Sequence, residues 1–233
     1  MYLKETLDQF ASPANILKLL KKDLTFNKHC IQERIEINTE IKADRERKYV
    51  YVIVEGFMKF IFEGIHKQEF IFIIERGSFP VLPIYSEDIP MFSKITALTD
   101  VVWWRIDFQF FKKMMALEDT RNYVMLHQLA ETRRKLYFIA IKEKLSARDS
   151  IYFSLNEMMN FGIRISANTM ELPKFLTYQE LANFANTSKS YTSKVLAELR
   201  EEGILDSQKK PWRINDIQQI KKLIDVTKLR PFL

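Results

Sequence analysis

A chain of 233 residues with one cysteine, Cys30, cannot build an internal disulfide framework, a four-thiolate zinc site or a cysteine-ligated iron–sulfur cluster within a single copy. Histidine is nearly as scarce. His29, His66 and His127 are the only three, and no His-x-His pair supplies the clustered ligands of a metal-dependent barrel enzyme. Each reads as a surface or structural residue. A nucleophile elbow, a Walker loop and a paired-carboxylate motif are also missing, so no catalytic residue, metal ligand or cofactor is assigned. No run reaches the ~18 uncharged apolar residues of a membrane span, and the start MYLKETLDQF lacks the basic and apolar regions of a signal peptide. A cytoplasmic protein with no membrane partner is expected, in a reducing compartment that suits a lone thiol. There is no Gly, Ser or Pro tract and no internal repeat.

What is present is ordinary globular material in an amount that suits two domains: 47% hydrophobic and 28% charged residues. The net charge is +6, and most of the excess lies late: residues 174–233 carry eleven Lys and Arg against seven Asp and Glu. A basic C-terminal module favours a polyanionic partner.

From about Leu24 to Phe110 the texture is that of strands. YVYVIVEGFMKFIFEG, QEFIFIIERGSFP and KITALTDVVWWRID are β-branched and aromatic runs broken by Gly, Pro and Asp, which suggests an antiparallel barrel or roll. Glu63-Gly64 sits between two such runs and predicts a hairpin pairing Met58–Phe62 with Gln68–Phe72. Phe57, Phe60, Phe62, Phe70, Phe72, Phe79, Trp103 and Trp104 form either plain core or the lining of an apolar pocket. Phe108 to about Leu145, free of Gly and Pro, predicts one long helix. Leu126, Leu129, Ala130, Leu136, Tyr137 and Ala140 make its apolar stripe, suited to a parallel dimer seam. Ser146 caps a further helix over Ala147–Asn160 that Gly162 ends, and GIRISANTMELPKF reads as a linker.

The stretch TYQELANFANTSKSYTSKVLAELREEGIL, from Thr177 to Leu205, carries the chemistry. Thr177 and Glu180 fit a capping box, Leu181, Ala182 and Ala185 give the helix an inner face, and Asn186-Thr187 supplies a tight turn. Ser188 then caps a second helix whose Thr192, Val195, Leu196 and Leu199 turn inward. Lys189, Ser190, Ser193 and Lys194 are left on the other face, where Lys donates to guanine and Ser bonds either partner type in the major groove. Gly203 follows the helix, and Lys209 and Lys210 stand at the tip of a hairpin wing. Together with Thr177 and Ser188 they are the expected contacts to the DNA backbone, which position without specifying sequence.

These motifs resemble the catabolite activator protein and FNR (Crp/Fnr) superfamily of bacterial transcription regulators over nearly the whole chain. The stretch just quoted resembles the winged helix-turn-helix and WRINDIQQIKKL its last strand and helix. YVIVEGFMKF, ERGSFPVL and ITALTDVVWWRIDFQFFKKM resemble the sensor roll and the start of the dimer helix. The resemblance implies an α+β fold: a double-stranded β-helix roll of cyclic-nucleotide-binding type over 1–110, a dimerisation helix over 111–146 and a winged helix-turn-helix over 147–233. It implies base reading from the positions of Lys189, Ser190, Ser193 and Lys194, with Lys194 where Arg is commoner and the bidentate guanidinium fork therefore lost. It also implies a homodimer on a palindromic operator, with RNA polymerase as a further partner and an effector that no residue identifies.

Cyclic-nucleotide binders of the superfamily hold phosphate with a Gly-Glu pair and an Arg-Ser or Arg-Thr pair. The corresponding stretches here are Val81-Leu82 and about Met91-Phe92, where an anion would find no compensation. The chain therefore resembles the non-nucleotide branch that contains positive regulatory factor A. Two other functions stay open on sequence: a cupin-like enzyme with a helical tail, and an interaction module with sequence-nonspecific nucleic-acid binding.

Overall fold

In the first turn of the second helix, Ser12 accepts the Asn15 amide and Pro13 occupies the position where a missing N–H costs nothing. This local logic recurs along a computed structural model that describes residues 3–42, 48–63, 69–80, 82, 93–206 and 209–224. The chain divides into two units, Met1–Tyr137 and Phe138–Leu233.

The first unit opens with α1 (Lys4–Phe10), α2 (Pro13–Leu20) and α3 (Phe26–His29), followed by strands β1 (Cys30–Ile35), β2 (Glu40–Lys42), β3 (Tyr49–Glu55), β4 (Met58–Glu63), β5 (Glu69–Ile74), β6 (Ser93–Ala97) and β7 (Val101–Asp107). The expected strand texture thus begins at Cys30, after a helical turn. Two antiparallel sheets result, ordered β1-β7-β3 and β2-β6-β4-β5. Val52 and Ile53 point to opposite faces of β3 and both are fully buried. Val52 joins one core cluster with Ile16, Leu20, Ile106 and Phe110, and Ile53 a second with Met58, Ile74, Ile95 and Trp103. Between β3 and β4 the backbone of Gly56 has φ +88, and a Cβ there would lie 2.3 Å from the Asp100 carbonyl oxygen, so only glycine fits the turn.

The expected β4–β5 hairpin is present, and its register, which the turn signals leave open, is set by the structure. Phe60 faces Phe72 and Phe62 faces Phe70. A two-residue slip keeps every side chain on its face, so alternation alone cannot fix it. The observed register lets Phe60 stack on Phe72 at 4.9 Å between ring centroids. Gly64 and Gln68 of that expectation lie outside the described residues. Among the aromatics, Trp103 and Phe79 are core, and Phe60 and Phe72 pack half-buried against the second cluster.

Asp107 caps α4 (Phe108–Glu118) by accepting the Phe110 amide at 2.8 Å. Phe110, Phe111, Met114 and Met115 of α4 are buried, each contributing roughly 1.5–3 kcal/mol by leaving water. The uninterrupted helix expected from Phe108 to about Leu145, and with it the single helix assigned to 111–146, is corrected here: α4 stops and α5 (Tyr123–Lys142) starts afresh. Asn122 turns the chain with φ 56, and the buried Asp119 carboxylate accepts the Tyr123 and Val124 amides at 2.8 and 2.9 Å. Val124 is fully buried in the first cluster, which fixes the new helix start. Further along α5, Lys135 lies over the Phe72 ring at 5.3 Å, and burial pushes its amine below the ordinary lysine value.

The second unit contains α6 (Ala147–Met159), β8 (Ile163–Arg164), β9 (Met170–Glu171), α7 (Tyr178–Phe184), α8 (Lys189–Glu201), β10 (Leu205–Asp206), β11 (Arg213–Ile214) and α9 (Ile217–Leu223). Ser146 caps α6 as expected. Gly162 has a different task from the one assigned. The helix already ends at Asn160, and a Cβ on Gly162 would stand 2.4 Å from the Glu171 carbonyl oxygen. The segment read as a linker supplies β8 and β9, which join the wing strands in one antiparallel sheet ordered β10-β11-β9-β8.

Candidate nucleic-acid interface

Thr177 accepts the Glu180 amide at 3.0 Å and starts α7, whose Leu181 and Ala182 are buried. Asn186 then takes φ 51, a left-handed backbone that Asn tolerates better than most residues. Ser188 accepts the Tyr191 amide at 3.2 Å and starts α8. Two helices joined by so short a turn have little freedom once their facing residues are buried, and Thr192, Val195, Leu196 and Leu199 all are. The Thr192 and Thr187 hydroxyls bond each other at 2.9 Å, which satisfies a polar pair inside that contact.

The outer face of α8 is left uncovered by this packing. Lys189, Ser190, Ser193 and Lys194 are all exposed on it. Ala197 is exposed too and continues the same face from Ser190 at i+7. An alanine carries no polar signal in the sequence, and only the helical period points to it. Gly203, with φ +71, ends the helix as expected, and its amide donates to the Arg200 carbonyl.

The other expected contacts are placed separately. Ser188 is exposed and Thr177 half-buried, each with its oxygen already accepting an amide and its hydroxyl proton available to donate. Lys209 and Lys210 are exposed between β10 and β11, whereas Gln208 of the wing tip is outside the described residues. Behind the wing, Trp212 is buried edge-on against Tyr178 at 5.0 Å, and the Arg200 guanidinium lies over Tyr178 at 5.5 Å. Arg148 of α6 bonds Glu198 and Tyr191 on α8, a tie that no sequence motif announces.

On α5, Leu129 and Leu136 are 66% and 59% exposed, an unusual state for leucines seven residues apart on a helix. Ala140 is exposed as well, and Leu126, Ala130 and Tyr137 are half-buried. The histidines occupy unrelated places. His29 stacks on Phe110 at 4.8 Å, His127 approaches Asp8 at 3.3 Å, and His66 is outside the described residues. No group of three or more His, Cys, Asp or Glu able to hold a metal ion occurs among the described residues. Of the nucleotide-cassette positions, only Leu82 is described.

A two-sheet roll, a helical segment and a winged helix-turn-helix define the class: this is the fold of the Crp/Fnr regulators. Residues 158–223 match the Crp-like helix-turn-helix domain. Among solved structures, a cyclic nucleotide-binding domain containing protein from Listeria monocytogenes EGD-e is similar with a TM-score of 0.74 and 23% identity, over 87% of this chain and 96% of that one. A CooA mutant from Carboxydothermus hydrogenoformans gives 0.70 and 18%, over 92% and 97%. A transcriptional regulator of the CRP/FNR family from Thermus thermophilus gives 0.58 and 18%, over 84% and 98%. The chain matches none of the curated proteins. No helix among the described residues is long and apolar enough to cross a membrane.

Proposed function

We propose that this chain is a homodimeric, sequence-specific DNA-binding transcription regulator of the cytoplasm. The observation that carries the reading is the exposed α8 face of Lys189, Ser190, Ser193 and Lys194 above a fully packed inner face. Side chains on such a face enter the major groove, where two lysines donate to guanine O6 and N7 and serines adapt to either base edge. Ala197 adds a methyl surface suited to a thymine methyl. Thr177, Ser188, Lys209 and Lys210 hold phosphates and set the register.

The exposed Leu129 and Leu136, with Leu126, Ala130, Tyr137 and Ala140 beside them, form the seam between two copies. A parallel pair of α5 helices then presents two recognition helices to half-sites ~34 Å apart on a palindrome. Residues 1–110 serve as the sensor-like domain, the helical segment within 111–146 as the dimer element and 147–233 as the DNA-binding domain. The apolar Leu82, at a cassette position, supports the non-nucleotide branch resembling positive regulatory factor A, with RNA polymerase as partner and an effector of another kind.

Selection of binding sites from a random DNA library at near-physiological salt tests the reading. A palindromic site is expected to be enriched. The Lys189→Ala/Ser193→Ala/Lys194→Ala variant is expected to lose at least about 100-fold in affinity for it, since each lost base contact costs ~1–3 kcal/mol. Equal protection of that site by the variant and the unaltered protein would sink the proposal.

A further inference from the structure

A helix leaves its last carbonyls without amide partners, and at the end of α7 these carbonyls stand at the root of the turn that launches α8. Backbone amides of the turn take three of them: Leu181 O from Ala185, Ala182 O from Thr187 and Asn183 O from Asn186. The next two are taken by side chains from elsewhere in the unit. The Lys142 ammonium donates to Phe184 O at 3.1 Å, and the Ser150 hydroxyl donates to Ala185 O at 2.7 Å. Lys142 is the last residue of α5. Its Nζ also lies 3.1 Å from a Glu157 carboxylate oxygen, and the two side chains are only 10% and 19% exposed. Ser150 is buried.

Such an arrangement is costly to assemble for stability alone. Apolar residues of similar volume often replace a buried ion pair without loss, so the enclosed ammonium is better explained by the geometry it imposes. That geometry is a cation fixed at the negative end of α7, directly before the left-handed Asn186. Lys194 lies about 8 Å along the axis of α8 from its first residue, Lys189, so a tilt of roughly 15° at the turn carries it about 2 Å. Hydrogen bonds to a base edge do not survive such a displacement.

We infer that Lys142 is a positioning residue for the DNA-reading helix. By holding the Phe184 carbonyl, the final turn of α5 sets the angle at which α8 presents Lys189 and Lys194, and Ser150 secures the neighbouring carbonyl. The inference rests on the proposed DNA-reading function, and it makes the end of α5 part of the recognition apparatus.

The full-length Lys142→Met/Glu157→Met variant is the test, because replacing both ionic partners leaves no orphaned carboxylate while it removes the donor to Phe184 O. Two quantities are measured beside the unaltered protein and Lys142→Arg: amide hydrogen exchange at Asn186–Thr192, and the ratio of affinities for the selected site and for random DNA. In the double variant, exchange is expected to quicken and the ratio to fall, each by about tenfold, the weight of one hydrogen bond to a charged group. Lys142→Arg, which keeps a cationic donor, is expected to leave both near the unaltered values. Unchanged exchange overturns the clamp, and faster exchange with an unchanged ratio overturns its positioning role. If the unaltered protein selects no site, the DNA-reading function fails by itself, while the exchange measurement still decides whether Lys142 holds the turn. Should the double variant not fold, Ser150→Ala is measured the same way, and an unaltered ratio there counts against the inference.

Discussion

Cys30 is buried in the first core cluster, and burial followed by the charge of Asp107 pushes its thiol up to about 12 from an ordinary 9.0. The thiol therefore remains protonated and shielded near neutral pH, and a role as an oxidation sensor loses its chemical basis. A disulfide reagent at pH 8 is expected to label native protein at least about 100-fold more slowly than urea-unfolded protein. Equal rates would show the thiol exposed. The sign of the linked pH effect follows from the raised value. Between about 9 and about 12 the unfolded chain has lost the proton that the native state keeps, so stability falls as pH rises through that window. Cys30→Ala is expected to flatten that part of the profile. At this same scale the α8 face was legible, because caps and the 3.6-residue period assign exposure one residue at a time. The burial of Cys30 was not, since it depends on α2, α4 and β7 meeting around it.

Among the elements, the break between α4 and α5 is made by two residues, Asp119 and Asn122. The stretch LEDTRNYVM contains neither Gly nor Pro and reads as continuous helix, yet Asn122 accepts a left-handed φ and Asp119 is 3% exposed beneath two amides. Asp119→Ala leaves the Tyr123 and Val124 amides without their acceptor. The expected cost is ~1–3 kcal/mol, or roughly 2–4 °C of melting temperature per kcal/mol for a chain of this size. An unshifted calorimetric midpoint would show the cap to be dispensable. The β8–β9 pair is not legible along the chain for a related reason. Two-residue strands carry too few alternations to register, and these exist because Met170 and Glu171 pair with β11 from a distant part of the chain.

For the whole molecule, the exposed Leu129 and Leu136 are the outstanding anomaly, and the proposed seam gives them a partner. Leu129→Glu/Leu136→Glu places two like charges opposite their symmetry mates. Sedimentation is expected to show a monomer where the unaltered protein gives a dimer, and affinity for a palindrome is expected to fall towards that for a single half-site. A variant that sediments as a dimer would move the seam off α5. The late positive charge belongs to this scale too, because it attracts phosphate whatever the sequence.

The order of the parts is readable along the chain: a strand-rich first half, a helical middle, and a helix-turn-helix with a basic face and a wing. Those features are local, written in caps, turn residues and periodicity within a few residues of one another. The β4–β5 register, the break at Asp119–Asn122, the four-stranded wing sheet and the grip of Lys142 on the α7–α8 turn arise only once the chain is folded. Each of these depends on which distant atoms come within contact, and a pattern along the chain carries no record of that distance.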